Sequence, residues 1–412
     1  MVNKIIKNIN VICVLILCGA ALLGCSLFAE KTPATWQPDI LWELEGFDYI
    51  GSPPSRLDYK NNLLLLPGFD TSGLNCVDIS KGTLNWNNSD YGFFDTQPVI
   101  WNNYVIITSD SNADANIIFY NKETGEIAGK YAVTQMKDTT KINFDYWAKV
   151  VNNIFYFTIH SYDKSIAKTG VYSINLSALT FNSEESIDIE PDLFAGAGDY
   201  QRCFTAPVFD EDTVYVYKDG AGVLVEDGTE LEQGEYYQSH VELTAYNYEG
   251  EIQWTTGFDY CGSASLGAHQ MQSYGDYLFI ADWSGMALVR KEDGEILYEK
   301  PGMWCGGFFT IEGDYAYTTV YFSLYRIHIP SGNIEWSDMI NFTRDSKPVV
   351  YKDKLYVVDS DALRCYNKKN GELLGVNEDL GVPGYRVQWY IPYIGNTLYI
   401  PQMEKIVAIR ME

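Results

Sequence analysis

The chain has 412 residues, of which 46% are apolar and 15% aromatic, with 29 Lys and Arg against 55 Asp and Glu. A net charge of −26 excludes the basic surface that nucleic acid or an anionic membrane would require. A chain of this length and apolar content can bury its own core, so its eight cysteines are not needed as a disulfide scaffold.

At the N-terminus, Lys4 and Lys7 precede an apolar run at 11–17 that is too short to hold in a bilayer as a span. It leads into Leu22-Leu23-Gly24-Cys25. Apolar core, small residue and cysteine in that order resemble the bacterial lipobox. The resemblance implies that 1–24 is a lipoprotein signal peptide and that Cys25 becomes the N-terminal, diacylated residue. Residues 25–38 then form a lipidated tether, and 39–412 are left to fold. The expected location is an exported lipoprotein on a cell-envelope membrane, at the periplasmic side of the outer membrane or at the cell surface. Membrane contact would run through the lipid on Cys25 alone.

Beyond the tether, apolar stretches rich in β-branched and aromatic residues recur. They include LLLL from Leu63, YVIITS from Tyr104, IFYFTIH from Ile154, TVYVYK from Thr213, YLFIAD from Tyr277, YAYTTV from Tyr315, LYVVD from Leu355 and LYIP from Leu398. Most follow a tight turn such as Asn102-Asn103, Asn152-Asn153, Gly275-Asp276 or Lys352-Asp353. Each is a strand signal, and no stretch keeps a helical period for long. A second turn follows in each unit, centred on Gly82, Gly125, Gly250, Gly294, Gly332 and Gly371, with spacings of 43, 44, 38 and 39 between consecutive members. The interval from Gly125 to Gly250 holds a degenerate copy, GVYSINLSALTF, with Ala178 in the glycine's place. Four strands at a period of about 40–45 residues mark a β-propeller blade. The last unit stops after KIVAIRM, and ILWELEG from Ile40 supplies its missing outer strand. The expected fold is all-β: an eight-bladed propeller of four-stranded antiparallel blades, the last closed by the N-terminal strand.

The segments ANIIFYNKETGEI, LTAYNYEGEIQW and LRCYNKKNGELL are similar to the PQQ-like repeat of quinoprotein dehydrogenases, and the pattern covers nearly all of 39–412. Quinone-dependent members of that family use an adjacent cysteine pair and calcium ligands; no Cys-Cys dipeptide occurs here. The expectation is therefore a protein with no cofactor and no enzymatic activity. An exported lipoprotein built only of such repeats also resembles the propeller lipoproteins of outer-membrane protein assembly machines. That resemblance implies a protein-interaction scaffold with another envelope protein as partner.

Antiparallel alternation puts both kinds of tight turn on one face and gathers the irregular loops, at 110–116, 161–170 and 219–240, on the other. The segments that lead into each blade sit with those loops. They supply Asp48, Tyr49, Asp95, Asp145, Tyr146, Asp199, Tyr200, Arg202, Asp259, Tyr260, Trp304, Arg344, Arg386 and Trp389. Around the mouth of a central channel this set would offer aromatic stacking surfaces and charged anchors to a small ligand, saccharide or peptide. Each Asp is equally suited to capping its own loop backbone. Cys203, Cys261 and Cys305 occupy matching positions, either with Cys261 and Cys305 as a disulfide or as small buried residues at a crowded axis, while Cys76 and Cys365 fall in third strands as core. Residues 110–116 alternate Asp110, Asn112 and Asp114 like a calcium loop, but Ala115 and Asn121 stand where Gly and Glu belong. His160, His240, His269 and His328 show no metal spacing, so no metal is expected.

Overall fold

The computed structural model describes residues 35–46, 56–67, 73–92, 94–109, 115–134, 142–161, 169–181, 186–196, 205–219, 241–258, 271–282, 285–301, 308–320, 322–340, 347–381, 391–402 and 404–412. The chain divides after Thr35, and everything below concerns Trp36–Glu412.

The strands form eight separate sheets. From the axis outward, blade 1 contains Arg56–Asp58, Leu63–Pro67, Leu74–Asp78 and Thr83–Asn88. Blade 2 contains Val99–Trp101, Tyr104–Ser109, Asn116–Asn121 and Ile127–Val133. Blade 3 contains Ile142–Val151, Ile154–Ser161, Gly170–Asn175 and Asp192–Gly196. Blade 4 follows with Val208–Phe209, Thr213–Asp219, Val241–Asn247 and Ile252–Gly257. Blade 5 has Met271–Tyr274, Tyr277–Ala281, Gly285–Arg290 and Ile296–Pro301. Blade 6 has Phe309–Glu312, Tyr315–Val320, Ser323–His328 and Asn333–Met339. Blade 7 has Val349–Tyr351, Lys354–Val358, Leu363–Asn367 and Leu373–Asn377. Blade 8 has Tyr393–Ile394, Thr397–Pro401 and Lys405–Arg410, completed by Asp39–Glu45.

The second and third strands read as continuous apolar runs because both of their faces are covered by neighbouring blades. Blade 2 shows this at Tyr104–Ser109, buried at every position after the first. The core is accordingly divided into eight hydrophobic clusters, one at each junction between consecutive blades. The eighth junction closes the ring: Leu57, Leu64 and Val77 of blade 1 pack on Tyr399, Ile406 and Ala408 of blade 8. Closure is also covalently remote, with Ile40 paired to Ile409 and Trp42 to Ala408 in the outer strand of blade 8.

The two tight turns of a unit share one face. In blade 2 the Lys122 N–H donates to the Asn103 carbonyl at 2.8 Å, and the same bond recurs as Lys291 to Asp276, Ile329 to Asp314 and Lys368 to Asp353. Turn glycines at the outer corner have a second reason to be glycine. A Cβ on Gly82, Gly125, Gly294, Gly332 or Gly371 would lie under 3 Å from a Trp or Tyr ring atom of the preceding blade. Those rings also donate back to the turn: Trp86 Nε1 to Lys122 O at 2.9 Å, Trp254 Nε1 to Lys291 O at 2.9 Å, and Trp336 Nε1 to Lys368 O at 3.2 Å. At the closing junction Trp42 does the same with Ile79 O at 3.2 Å.

One blade departs from the expected four strands. Ser186–Ile189 leaves blade 3 and adds to the outer strand of blade 2 in parallel, making that sheet five-stranded. The cause is local: the degenerate unit has a 3-10 turn at Leu176–Ala178 instead of a glycine turn, and the chain runs outward before returning. Trp36, assigned to the tether by sequence, is already part of the fold. Its N–H donates to Val376 O at 2.9 Å on blade 7.

Candidate functional site

Of the residues proposed for the channel mouth, Asp95 and Asp145 are described, and Tyr146 is described in its backbone. Asp48, Tyr49, Asp199, Tyr200, Arg202, Asp259, Tyr260, Trp304, Arg344, Arg386 and Trp389 lie outside the described residues, as do Cys25, Cys203, Cys261 and Cys305. So do 110–114 of the calcium-like loop. Cys76 and Cys365 are unbridged and buried, as expected of core positions; burial pushes their thiols up to about 12 and about 11.

Asp95 is half-buried, and its N–H donates to Thr108 O at 3.1 Å. Beside it, Thr96 Oγ1 accepts from both Thr108 N–H and Thr108 Oγ1 at 3.1 Å, so the two threonines of this corner satisfy each other. Blade 3 is different at the equivalent place. Phe144 pairs with Ile159 and Ala148 with Phe157, so three residues, Asp145 to Trp147, bulge opposite Thr158 alone. Tyr146 occupies the position of Thr96 and offers no short hydroxyl to Thr158. Asp145 is 3% exposed, Trp147 3% and Thr158 0%. Asp145 Oδ2, Trp147 Nε1 and Thr158 Oγ1 are each buried without a hydrogen-bond partner among the described residues. Burial holds the Asp145 carboxyl well above the ordinary aspartate range.

Two fully buried aspartates of other blades escaped the sequence reading. Asp282 accepts from Tyr217 OH of the preceding blade at 2.5 Å and from Gly285 N–H at 2.8 Å. Asp359 holds Arg364 Nε at 2.5 Å and Ala362 N–H at 2.7 Å. Both end a second strand, where a carboxylate ties the irregular-loop face together.

The tight-turn face carries a belt of inter-blade pairs that the sequence reading also missed. Lys122 Nζ meets Asp58 at 3.1 Å, Lys291 meets Asp210 at 2.8 Å, and Lys368 meets Glu312 at 2.6 Å. Each acid stands before the first turn of one blade, and each lysine opens the second turn of the next. That repeat-equivalent spacing was the signal available. Burial raises the Asp58 pKa, but hydrogen bonds from Asn61 and Lys122 outweigh it and leave the carboxyl below its usual range. The first of these pairs floors a cavity of about 640 Å³ between blades 1 and 2, lined also by Asn61, Asn102, Asn103 and Tyr104.

Among the described residues, no group of His, Cys, Asp and Glu could hold a metal ion, and no helix is long and apolar enough to cross a membrane. Two of the exposed large apolar side chains among the described residues are on blade 6, where Phe322 is 53% and Met339 79% exposed. They are neighbours at the loop end of that blade: Ser323 pairs with Met339, and Ile340 N–H donates to Phe322 O at 2.9 Å.

No protein-family model matches the chain, and no curated protein does. Solved structures do. BamB from Moraxella catarrhalis matches with a TM-score of 0.61 at 12% identity, covering 91% of this chain and 100% of that one. A europium-containing methanol dehydrogenase gives 0.60 at 11% identity over 90% of this chain and 84% of that one. Saccharomyces cerevisiae Sqt1 gives 0.59 at 10% identity, covering 91% and 100%. The likeness is one of fold: the chain is an eight-bladed propeller resembling the PQQ-like repeat propellers.

Proposed function

We propose that this protein is a non-catalytic, lipid-anchored propeller of the bacterial cell envelope that acts as a protein-interaction scaffold, with a role in outer-membrane protein assembly. The lipobox-like Leu22-Leu23-Gly24-Cys25 supports the anchor, and the fold likeness to BamB agrees with the scaffold. The observation that carries the reading is the exposure of two large apolar side chains, Phe322 and Met339, on adjacent strand ends of blade 6. Exposed apolar surface on an otherwise strongly acidic protein marks a contact for another protein. Affinity capture of the lipidated chain from its own membrane tests it. A stoichiometric envelope partner that is lost from a Phe322→Ser/Met339→Lys variant is expected; equal capture by that variant would remove the patch from the interface.

A second reading, a small-ligand, saccharide or peptide module at the channel mouth, is favoured by Asp145 Oδ2, Trp147 Nε1 and Thr158 Oγ1, which no other group among the described residues satisfies. Each such group costs about 1–3 kcal/mol, which a ligand hydroxyl or amide reaching the bulge would recover. Thermal shift against a panel of saccharides and short peptides separates the readings. Stabilisation abolished by Asp145→Ala supports the module, and an unshifted melting curve across the panel sinks it.

A further inference from the structure

Seven of the eight sheets end outward on a strand with no further strand beyond it among the described residues, while blade 2 is capped by Ser186–Ile189 in parallel register on Lys130–Val133. A blade edge of this protein therefore accepts an added extended segment, and the chain itself supplies one example.

Most of the remaining edges are guarded. Blade 8 carries Asp39, Glu43 and Glu45, with Arg410 and Lys405 paired to the first two. Blade 5 carries Glu299, Lys300 and Pro301, blade 6 carries Glu335 and Asp338, and blade 3 begins at Asp192. Blade 7 has Trp36 bonded to its Val376. Charges, proline and covering segments are how sheets prevent unwanted pairing. Blade 1 has no charge on its outer strand but holds three asparagines, Asn85, Asn87 and Asn88, a residue depleted from strands. Blade 4 alone combines an uncharged outer strand with strand-favouring residues: Ile252–Gly257 reads IQWTTG. Ile252 is 62% exposed, and Gln253, Thr255 and Gly257 are exposed as well.

Carboxylates flank this strand at both ends. Glu249 and Glu251 are exposed at its start, and Glu242 pairs across from Gly257 at its end. Among the described residues, the cation paired with this group is Lys218, 3.5 Å from Glu242. A second copy of a chain with net charge −26 would be repelled from such a place, whereas a segment with basic ends would be drawn to it.

We infer that the outer strand of blade 4, Ile252–Gly257, is a docking edge that takes an extended peptide segment of a partner protein, apolar or β-branched at its centre and basic at its ends, by strand addition. The inference deepens the scaffold reading and rests on it for the existence of a protein partner. Main-chain pairing supplies the affinity, and Glu249, Glu251 and Glu242 select for charge.

The test uses the full chain and a synthetic dodecapeptide of alternating Thr and Val between Lys-Lys ends. Fluorescence anisotropy should show saturable binding, about tenfold weaker when two central Val are Pro and about tenfold weaker for Ile252→Lys/Gln253→Lys. Both substituted side chains are exposed, so circular dichroism and melting temperature should be unchanged in the variant. Hydrogen exchange should slow at the amides of 252–257 when peptide is bound. Absence of binding, equal binding by the lysine variant, or protection confined to another blade overturns the assignment. So does a dimer in sedimentation that the lysine variant dissolves, because the edge would then serve self-association. If the peptide fails while the Phe322–Met339 patch still captures its protein, the edge falls and the scaffold reading stands. Peptide binding without any captured protein supports the edge and removes the scaffold.

Discussion

Gly371 and Gly313 look alike in the sequence and differ in what a methyl group would do. Both have positive φ, 72° and 55°. A Cβ on Gly371 would sit 2.7 Å from the Trp336 ring, whereas one on Gly313 meets nothing within 4 Å. Gly313→Ala should cost only the backbone penalty, about 1 kcal/mol, and Gly371→Ala about 2–4 kcal/mol once the tryptophan is displaced. Chemical denaturation of the two variants checks the difference. Asp145 gives a prediction in pH. Below the unfolded aspartate value of about 3.9 both states keep the proton; above it the unfolded chain releases it first, and the fold loses stability as pH rises. Asp145→Asn should therefore gain in melting temperature over the native chain most at pH 7, with the gain shrinking towards pH 4. A pH-independent difference would mean the carboxyl is not held protonated. The turn glycines were legible because positive φ leaves a residue-type signature. The burial of Asp145 was not, because a bulge breaks the alternation from which inward and outward positions are read.

Two blades lack the aromatic that normally follows the turn glycine by four residues, and both recruit one from elsewhere. Blade 2 has Gly129 there, and Phe181 of blade 3 fills the space, stacked on Tyr104 at a centroid distance of 4.4 Å and edge-on to Phe119 at 5.1 Å. Blade 7 has Gly375, and Trp36 from the other end of the chain packs against it and on Tyr356. Phe181 also begins the excursion that delivers Ser186–Ile189 to blade 2. Phe181→Ala should cost about 2 kcal/mol. Its amides at 186–189 should exchange faster while those of blades 5 to 8 are unmoved; uniform acceleration around the ring would show that the excursion is not a separate unit. The sequence disclosed the strands themselves through their apolar runs and turn residues. It did not disclose where Ser186–Ile189 pairs, since alternation specifies a face but not a neighbour. The missing Trp at Gly129 and Gly375 was the available hint.

Ring closure was legible because an incomplete last unit and an orphan first strand are complementary. The inter-blade ion pairs were not, since single charges become meaningful only when the repeats are overlaid. The closing blade is held by Trp42 on Gly82 and Tyr399 and by Lys405 with Glu43 at 2.9 Å. Trp42→Ala should cost about 3 kcal/mol and lower the melting temperature of the whole molecule as one transition. A separate early transition confined to blade 8 would contradict a cooperative circle. The placement of Lys405–Arg410 between Thr397–Pro401 and Asp39–Glu45 carries a further consequence. Neither neighbour has its partner until Lys405–Arg410 is in place, so the circle cannot seal before that strand has been added. A prematurely terminated copy would display two bare sheet margins, a ready mark for quality-control proteases.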